Sequence, residues 1–222
     1  MEGRVGHYCG RFVDGIWGEP QNSFSNIIFV IGAYYAWCAW RKAESRDPVV
    51  QIAFVLGALI GIGSFVFHSY PNPVTLYVDL VLIQIFVLVY FGYVGSRYFC
   101  ANKTAIVLSI GTFFIIRQLW IAYMPKGLLG GGISHIPTLV LLIFCGIYFF
   151  SKLRRLSLFL FSASALYFTA VIIRSWDLYV CDSFPIGLHW TWHILTGLTV
   201  SVLLYAVATT RPLKQDSIRT YA

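Results

Sequence analysis

The chain has 222 residues, of which 58% are hydrophobic and 11% charged, and its formal net charge is +7. A soluble domain carries about 25% charged residues, so this composition excludes a soluble globular protein of this size and requires a surface that faces lipid. The residues before the first apolar stretch lack the apolar core of a cleavable signal peptide, so the first span is expected to act as the targeting signal.

Seven apolar stretches are long enough to cross a hydrocarbon core of roughly 30 Å, which takes about 20 helical residues. They run Ser23–Trp40, Val49–His68, Val74–Tyr93, Thr104–Tyr123, Ile133–Phe150, Leu156–Ile173 and Leu188–Thr209. Unpaired backbone amides are costly in lipid, so each span must be a helix. The expected fold is all-α, an integral membrane bundle of seven transmembrane helices. The connections are short, which makes residues 1–222 one transmembrane domain. The GLLGGG run at Gly127–Gly132 reads as a loop. A transporter would be favoured by inverted repeats or broken helices, and no repeat is seen.

Charge orients the bundle. The loops after the first, third and fifth spans, with the C-terminal tail, hold eleven of the 16 Lys and Arg residues. Arg4, Arg11, Lys126 and Arg174 fall on the opposite side, and Arg117 lies within the fourth span. The positive-inside bias places the C-terminus in the cytoplasm and the N-terminus outside. The basic balance then reflects this asymmetry and anionic lipid headgroups. The expected partners are the bilayer and a membrane lipid; a nucleic acid is not indicated.

Ionisable groups within spans are expensive and are therefore candidates for function. The second span ends in Gly-Ser64-Phe-Val-Phe-His68, the third carries Asp79 in its first turns, and the seventh opens with His189-Trp-Thr-Trp-His193. Ser64 and His68 are i,i+4 and share one helical face, as do His189 and His193. The alternating directions of the spans put all five residues near their outer ends, in one layer. Singly, His68 reads as a hydrogen-bonded bundle histidine and Ser64 as a helix-packing residue; the shared depth is what points to a site. Three imidazoles there suit Zn²⁺, which takes three protein ligands and a water when catalytic. Asp79 is the only further ligand-type side chain at that depth. His135 reads as interfacial and His7 as solvated.

The set Ser64-x-x-x-His68, Asp79 and His189-x-x-x-His193 resembles the CREST superfamily of seven-helix membrane hydrolases. Within it, the chain looks most like the alkaline ceramidase family, its bacterial members in particular. Cys9, the segment Trp17-Gly-Glu19-Pro-Gln-Asn22-Ser-Phe-Ser-Asn26 and the segment Arg174-Ser-Trp-Asp177-Leu-Tyr-Val-Cys181 extend the match over nearly the whole chain. The resemblance implies a zinc-dependent amidase that hydrolyses ceramide or a related N-acyl lipid on the outer side of the membrane. His68, His189 and His193 would bind zinc, Asp79 would orient a water and take its proton, and Ser64 would support the metal site or the developing oxyanion.

Eukaryotic members also hold calcium in a longer acidic N-terminal loop. Here only Glu2, Asp14 and Glu19 precede the first span, and Asp14 and Glu19 are the calcium candidates. Adiponectin- and progestin-type receptors share the zinc pattern, so a zinc-containing, receptor-like lipid-binding protein is the alternative. Those receptors usually carry a long cytoplasmic N-terminal extension, whereas this N-terminus is short and expected outside. Of five cysteines, Cys38 and Cys145 fall within spans and Cys100 faces the cytoplasm. Cys9 and Cys181 share the outer side, where a disulfide is permitted, and each sits in a family-like segment. They are expected to pair, two unrelated thiols being the alternative.

Overall fold

Apolar stretches punctuated by Pro, Asn and Gly become helices throughout the computed structural model, which describes residues 9–11, 13, 15, 17–43, 46–125 and 128–212. In chain order these are α1 (Pro20–Phe24), α2 (Ile27–Lys42), α3 (Val50–Ser69), α4 (Pro73–Arg97), α5 (Lys103–Tyr123), the 3₁₀ segment η1 (Leu128–His135), α6 (Ile136–Phe149), α7 (Arg154–Val180) and α8 (His189–Thr209). No strand occurs among the described residues. Helix starts follow local chemistry. The Asn72 side chain accepts from the backbone N–H groups of Val74 and Thr75, while the Thr75 hydroxyl accepts from Asn72 N–H. With Pro73 in the first turn, this capping box opens α4. Asn102 caps α5 through Ala105 N–H.

Among the described residues, six helical units are long and apolar enough to cross a membrane: α3, α4, α5, α7, α8 and Gly131–Phe149, where the end of η1 runs into α6. The first expected span is different. It is divided into α1 and the 16-residue α2 by a turn at Ser25 and Asn26. Side chains there compete with the helical backbone: Asn26 donates to Asn22 O at 2.7 Å and Ser25 to the same oxygen at 3.1 Å. The shorter α2 still packs between α3 and α8.

Two further expectations are corrected. α7 continues past Ile173 to Val180, which lifts Arg174 and Asp177 off the expected loop and onto a helix. Both side chains find partners that support the extra turns, Asp177 on backbone amides of the α8 start and Arg174 over the Trp192 ring. Leu128–Gly132 belongs to η1 rather than to a loop, Gly127 lying outside the described residues, and the absence of a side chain at Gly132 lets η1 lie on α7. A Cβ on Gly132 would come within 3.0 Å of Ser175 Oγ and 3.3 Å of Val171 Cγ1.

Small residues also set the closest helix contacts. A methyl on Gly32 would strike Ser201, one on Gly57 would strike Leu204, and one on Gly197 would strike Ile28. Between helices in lipid, dispersion contact at close backbone approach replaces the hydrophobic drive available in water. The core around these crossings holds Ala33, Ala36, Phe54, Ile60, Leu160 and Leu204.

Candidate metal centre

His68 closes the last turn of α3, and His189 and His193 open α8 one turn apart. The interhelical contact brings the three rings together, with centroids 5.2 Å apart for His68 and His189, 4.6 Å for His68 and His193, and 4.6 Å for His189 and His193. One ligand atom from each lies within 4.8 Å of the others. All three side chains are buried. Three buried histidines so placed could hold a metal ion.

The surrounding hydrogen bonds fit that use. His68 Nδ1 lies 2.8 Å from Glu19 Oε2, and His193 Nδ1 lies 2.9 Å from Asn22 O and 3.0 Å from Ser25 Oγ. Engaging Nδ1 with a carboxylate or carbonyl directs the Nε2 lone pair at the metal position, the usual outer-shell arrangement of a ligating histidine. His189 differs, because its Nδ1 lies 3.1 Å from Arg174 Nη1, and a guanidinium only donates. Lone-pair donation by His189 to an ion therefore displaces or reorients Arg174, whether through Nδ1 itself or through Nε2 with a proton moved to Nδ1.

Behind His68 lies a cross-linked strap. Glu19 is fully buried; one oxygen pairs with Arg11 and the other accepts from Asn22 Nδ2 at 3.0 Å besides meeting His68. Arg11 also donates to the His68 backbone oxygen at 2.9 Å. Burial alone would raise the Glu19 carboxyl, but the hydrogen bond and charge of His68, the Asn22 amide and the Arg11 charge outweigh it and hold Glu19 below its ordinary value. Both Glu19 oxygens are thus engaged by protein groups; the other calcium candidate, Asp14, lies outside the described residues, as does His7.

The expected disulfide is present. Cys9 and Cys181 are bonded with Cα atoms 5.7 Å apart, closing a separation of 172 residues. Asp177 reinforces the junction: its Oδ2 accepts from Cys9 N–H at 2.9 Å and its Oδ1 from Leu188 N–H at 2.6 Å and His189 N–H at 3.1 Å. A carboxylate at the α8 N-terminus also suits the helix dipole. Gly187 permits this crowding. It sits at φ +69, and a Cβ would run into both Cys9 and Asp177.

A cavity of about 260 Å³ opens from the triad into the bundle. Ser64 and Asp79 line it beside the three histidines, so the five residues expected in one layer share one space. Asp79 is 9% exposed, and its Oδ1 is buried with no hydrogen-bond partner; Ser64 and Arg174 are the polar groups acting on its carboxylate. Away from the histidines the walls turn apolar, with Ile83, Phe86, Phe91, Leu142 and Leu203.

Sequence reading did not find three contributors. His135 is not interfacial: its Nδ1 is 2.8 Å from the Tyr167 hydroxyl, its ring is 4.6 Å from Trp192, and it lines the cavity. Arg174 enters the same wall, and Arg11 braces His68 from outside. An Arg within four residues of an apolar span of otherwise uncharged residues was a usable signal for Arg174; none marked Arg11. Comparison of the chain with protein-family models and with curated proteins finds no match.

Proposed function

We propose that this chain is a zinc-dependent membrane amidase of the alkaline ceramidase type, cleaving the amide bond of ceramide or another N-acyl lipid. The observation that carries the reading is the cavity itself. One end presents three buried histidines, a buried carboxylate with a vacant acceptor position and a hydroxyl, while the other end is apolar and suited to an acyl chain. All-nitrogen donor sets of three histidines are characteristic of catalytic zinc. When bound, zinc would supply Lewis acidity, lowering the pKa of water to about 7 and polarising a carbonyl.

The remaining work falls to the protein. Asp79 accepts the proton as the water oxygen bonds to the carbonyl carbon, and delivers it to the amine nitrogen as the carbon–nitrogen bond breaks. The products are a fatty acid and a free amine. Ser64, one turn from His68 on α3, donates to the oxygen on which negative charge develops. Glu19 and Asn22 fix the rings of His68 and His193. The apolar wall holds the acyl chain and excludes water from the reacting carbonyl. In this reading the protein is a multi-pass membrane protein with its site facing the outer compartment.

The test is metal analysis of purified protein together with release of fatty acid from a panel of N-acyl lipids. About one zinc per chain and amide hydrolysis that stops on chelation are expected. A zinc-loaded protein that binds such lipids and cleaves none of them would favour the receptor-like alternative.

A further inference from the structure

A second apolar recess, of about 280 Å³, lies where α2, α7 and α8 meet, and the amidase reading makes no use of it. It opens outward, since Ile31, Tyr35 and Tyr205 in its walls are exposed. Small residues create it. A methyl on Gly32 would strike Ser201, so α2 and α8 approach there without a side chain between them and leave a trough. One end of the trough is basic. Phe159 meets Tyr205 edge-on with ring centroids 5.8 Å apart, and the Arg155 guanidinium lies over the Phe159 ring at 6.0 Å. Lys42, at the end of α2, follows Tyr35 by two helical turns and falls on the same face. With alternating span directions both cations lie at the end away from the histidines, and both are exposed. The loops and tail on that side hold eleven Lys and Arg against three acidic residues, Glu44, Asp47 and Asp216. Asp47 pairs with Arg97 at 2.7 Å, and neither Lys42 nor Arg155 has an ion-pair partner among the described residues.

We infer that this groove is a binding site for an anionic phospholipid, with the phosphate held by Arg155 and Lys42 and an acyl chain lying along Gly32 and Ser201. The site is separate from the metal centre and does not depend on the amidase reading. In a bilayer any such trough is filled by lipid chains; the basic pair at its end decides which lipid stays. The planar guanidinium presents paired donors that match a phosphate, and stacking on Phe159 holds the fork in place. Lys42 adds a second charge on a flexible stem that reaches the headgroup level. A phosphodiester with an uncharged glycerol head keeps its negative charge for these two residues, whereas the ammonium of a choline head cancels it. Basic pockets between spans on the cytoplasmic side, where the charge bias places this end, suit anionic headgroups. A soluble phosphate lacks the chain that the apolar walls would hold.

The test is native mass spectrometry of the full chain in detergent, titrated with dioleoylphosphatidylglycerol and dioleoylphosphatidylcholine, which carry the same chains. Wild type should bind the glycerol lipid roughly 10- to 30-fold more tightly, the scale of two basic side chains acting on one anionic headgroup. The double variant Lys42→Gln, Arg155→Gln should lose that preference. A control pair, Lys152→Gln with Arg154→Gln, removes the same charge from side chains that stack on Tyr148 and Phe150 outside the groove, and should keep it. Ile31→Trp, which fills the trough from an exposed wall position, should weaken binding of both lipids, and glycerol 3-phosphate should not compete. Equal binding of the two lipids by wild type overturns the inference, as does a preference that survives in the Lys42, Arg155 variant. Equal loss in both double variants overturns it too, because the selectivity would then belong to the diffuse charge of that end. Competition by glycerol 3-phosphate would assign the basic pair to a free phosphate instead. A dimer that disappears in Ile31→Trp, with no lipid retained by wild type, would assign the groove to a second copy of the chain.

Discussion

Helices α5 and α8 are each 21 residues long and similarly apolar, with mean hydropathies of 1.8 and 1.5 over their best windows, yet 0% of that window is buried in α5 and 44% in α8. Hydropathy therefore finds a span without saying what it does. The difference lies in where polarity is concentrated. α8 opens with two buried histidines and offers Gly197 for close approach to α2. α5 turns Val107, Leu108, Ile115, Ile116 and Leu119 outward and packs against α4, η1 and α6. One helix carries two of the three clustered histidines, and the other leaves its apolar side chains exposed.

The sharpest way to test that division is to remove the ligands on the α8 side. His189→Ala and His193→Ala, with His68→Ala on the facing helix, should each take the zinc content from about one per chain to near zero and end amide hydrolysis with it. Elemental analysis of the purified variants checks this. Full zinc occupancy in all three would remove the metal centre and, with it, the contrast between the two helices.

Asp79 comes next. In the proposed reaction its buried Oδ1, which has no hydrogen-bond partner among the described residues, accepts a proton and takes no part in holding the metal. Asp79→Asn should retain zinc and lose roughly 10²- to 10⁴-fold in turnover, the usual contribution of a positioned acid–base group. A near-normal rate would reduce Asp79 to a structural residue.

The strap behind His68 ranks third. Arg11→Gln and Glu19→Gln each break a contact that orients a ligand without touching the metal position. Loss of such outer-shell partners typically weakens metal affinity about 10- to 100-fold. Titration against a series of zinc buffers reads this directly. Affinities equal to wild type in both variants would show that the helices alone hold His68 in place.

These three layers were not equally legible in the amino-acid sequence. The histidines and Asp79 were, because i,i+4 spacing and alternating span direction are local rules that add up to a shared depth. The pairing of Cys9 with Cys181 followed from which cysteines share a side. The strap did not, since Arg11 meets His68 across 57 residues and no periodicity connects them. The break between α1 and α2 is hidden because Ser25 and Asn26 lie at the polar start of the expected span, where a hydropathy window averages a two-residue turn with the apolar residues that follow. From the sequence, Arg174 reads as a loop residue because charge usually ends a span. Here its contact with Trp192 and the backbone bonds made by Asp177 carry α7 onward.

The smallest effects should lie on α5, and a pair of identical truncations measures them against α8. Leu204 on α8 is 0% exposed, packed near Gly57, whereas Leu108 on α5 is 64% exposed. Leu204→Ala removes contacts that the close-packed neighbours cannot recover, and truncations of this kind cost about 2–5 kcal/mol. At Leu108 the missing atoms are replaced by lipid chains, which are as apolar as leucine, so neither a cavity nor a loss of apolar contact results. Leu108→Ala should therefore stay within about 0.5 kcal/mol of wild type, as surface substitutions do. Thermal unfolding of both variants in the same lipid nanodiscs, followed by near-UV circular dichroism, makes the comparison. A clear drop in Tm for Leu204→Ala beside an unchanged Tm for Leu108→Ala is expected. Equal drops would mean that the Leu108 face of α5 is covered by protein rather than by lipid, and the contrast between the two helices would fail at its simplest point.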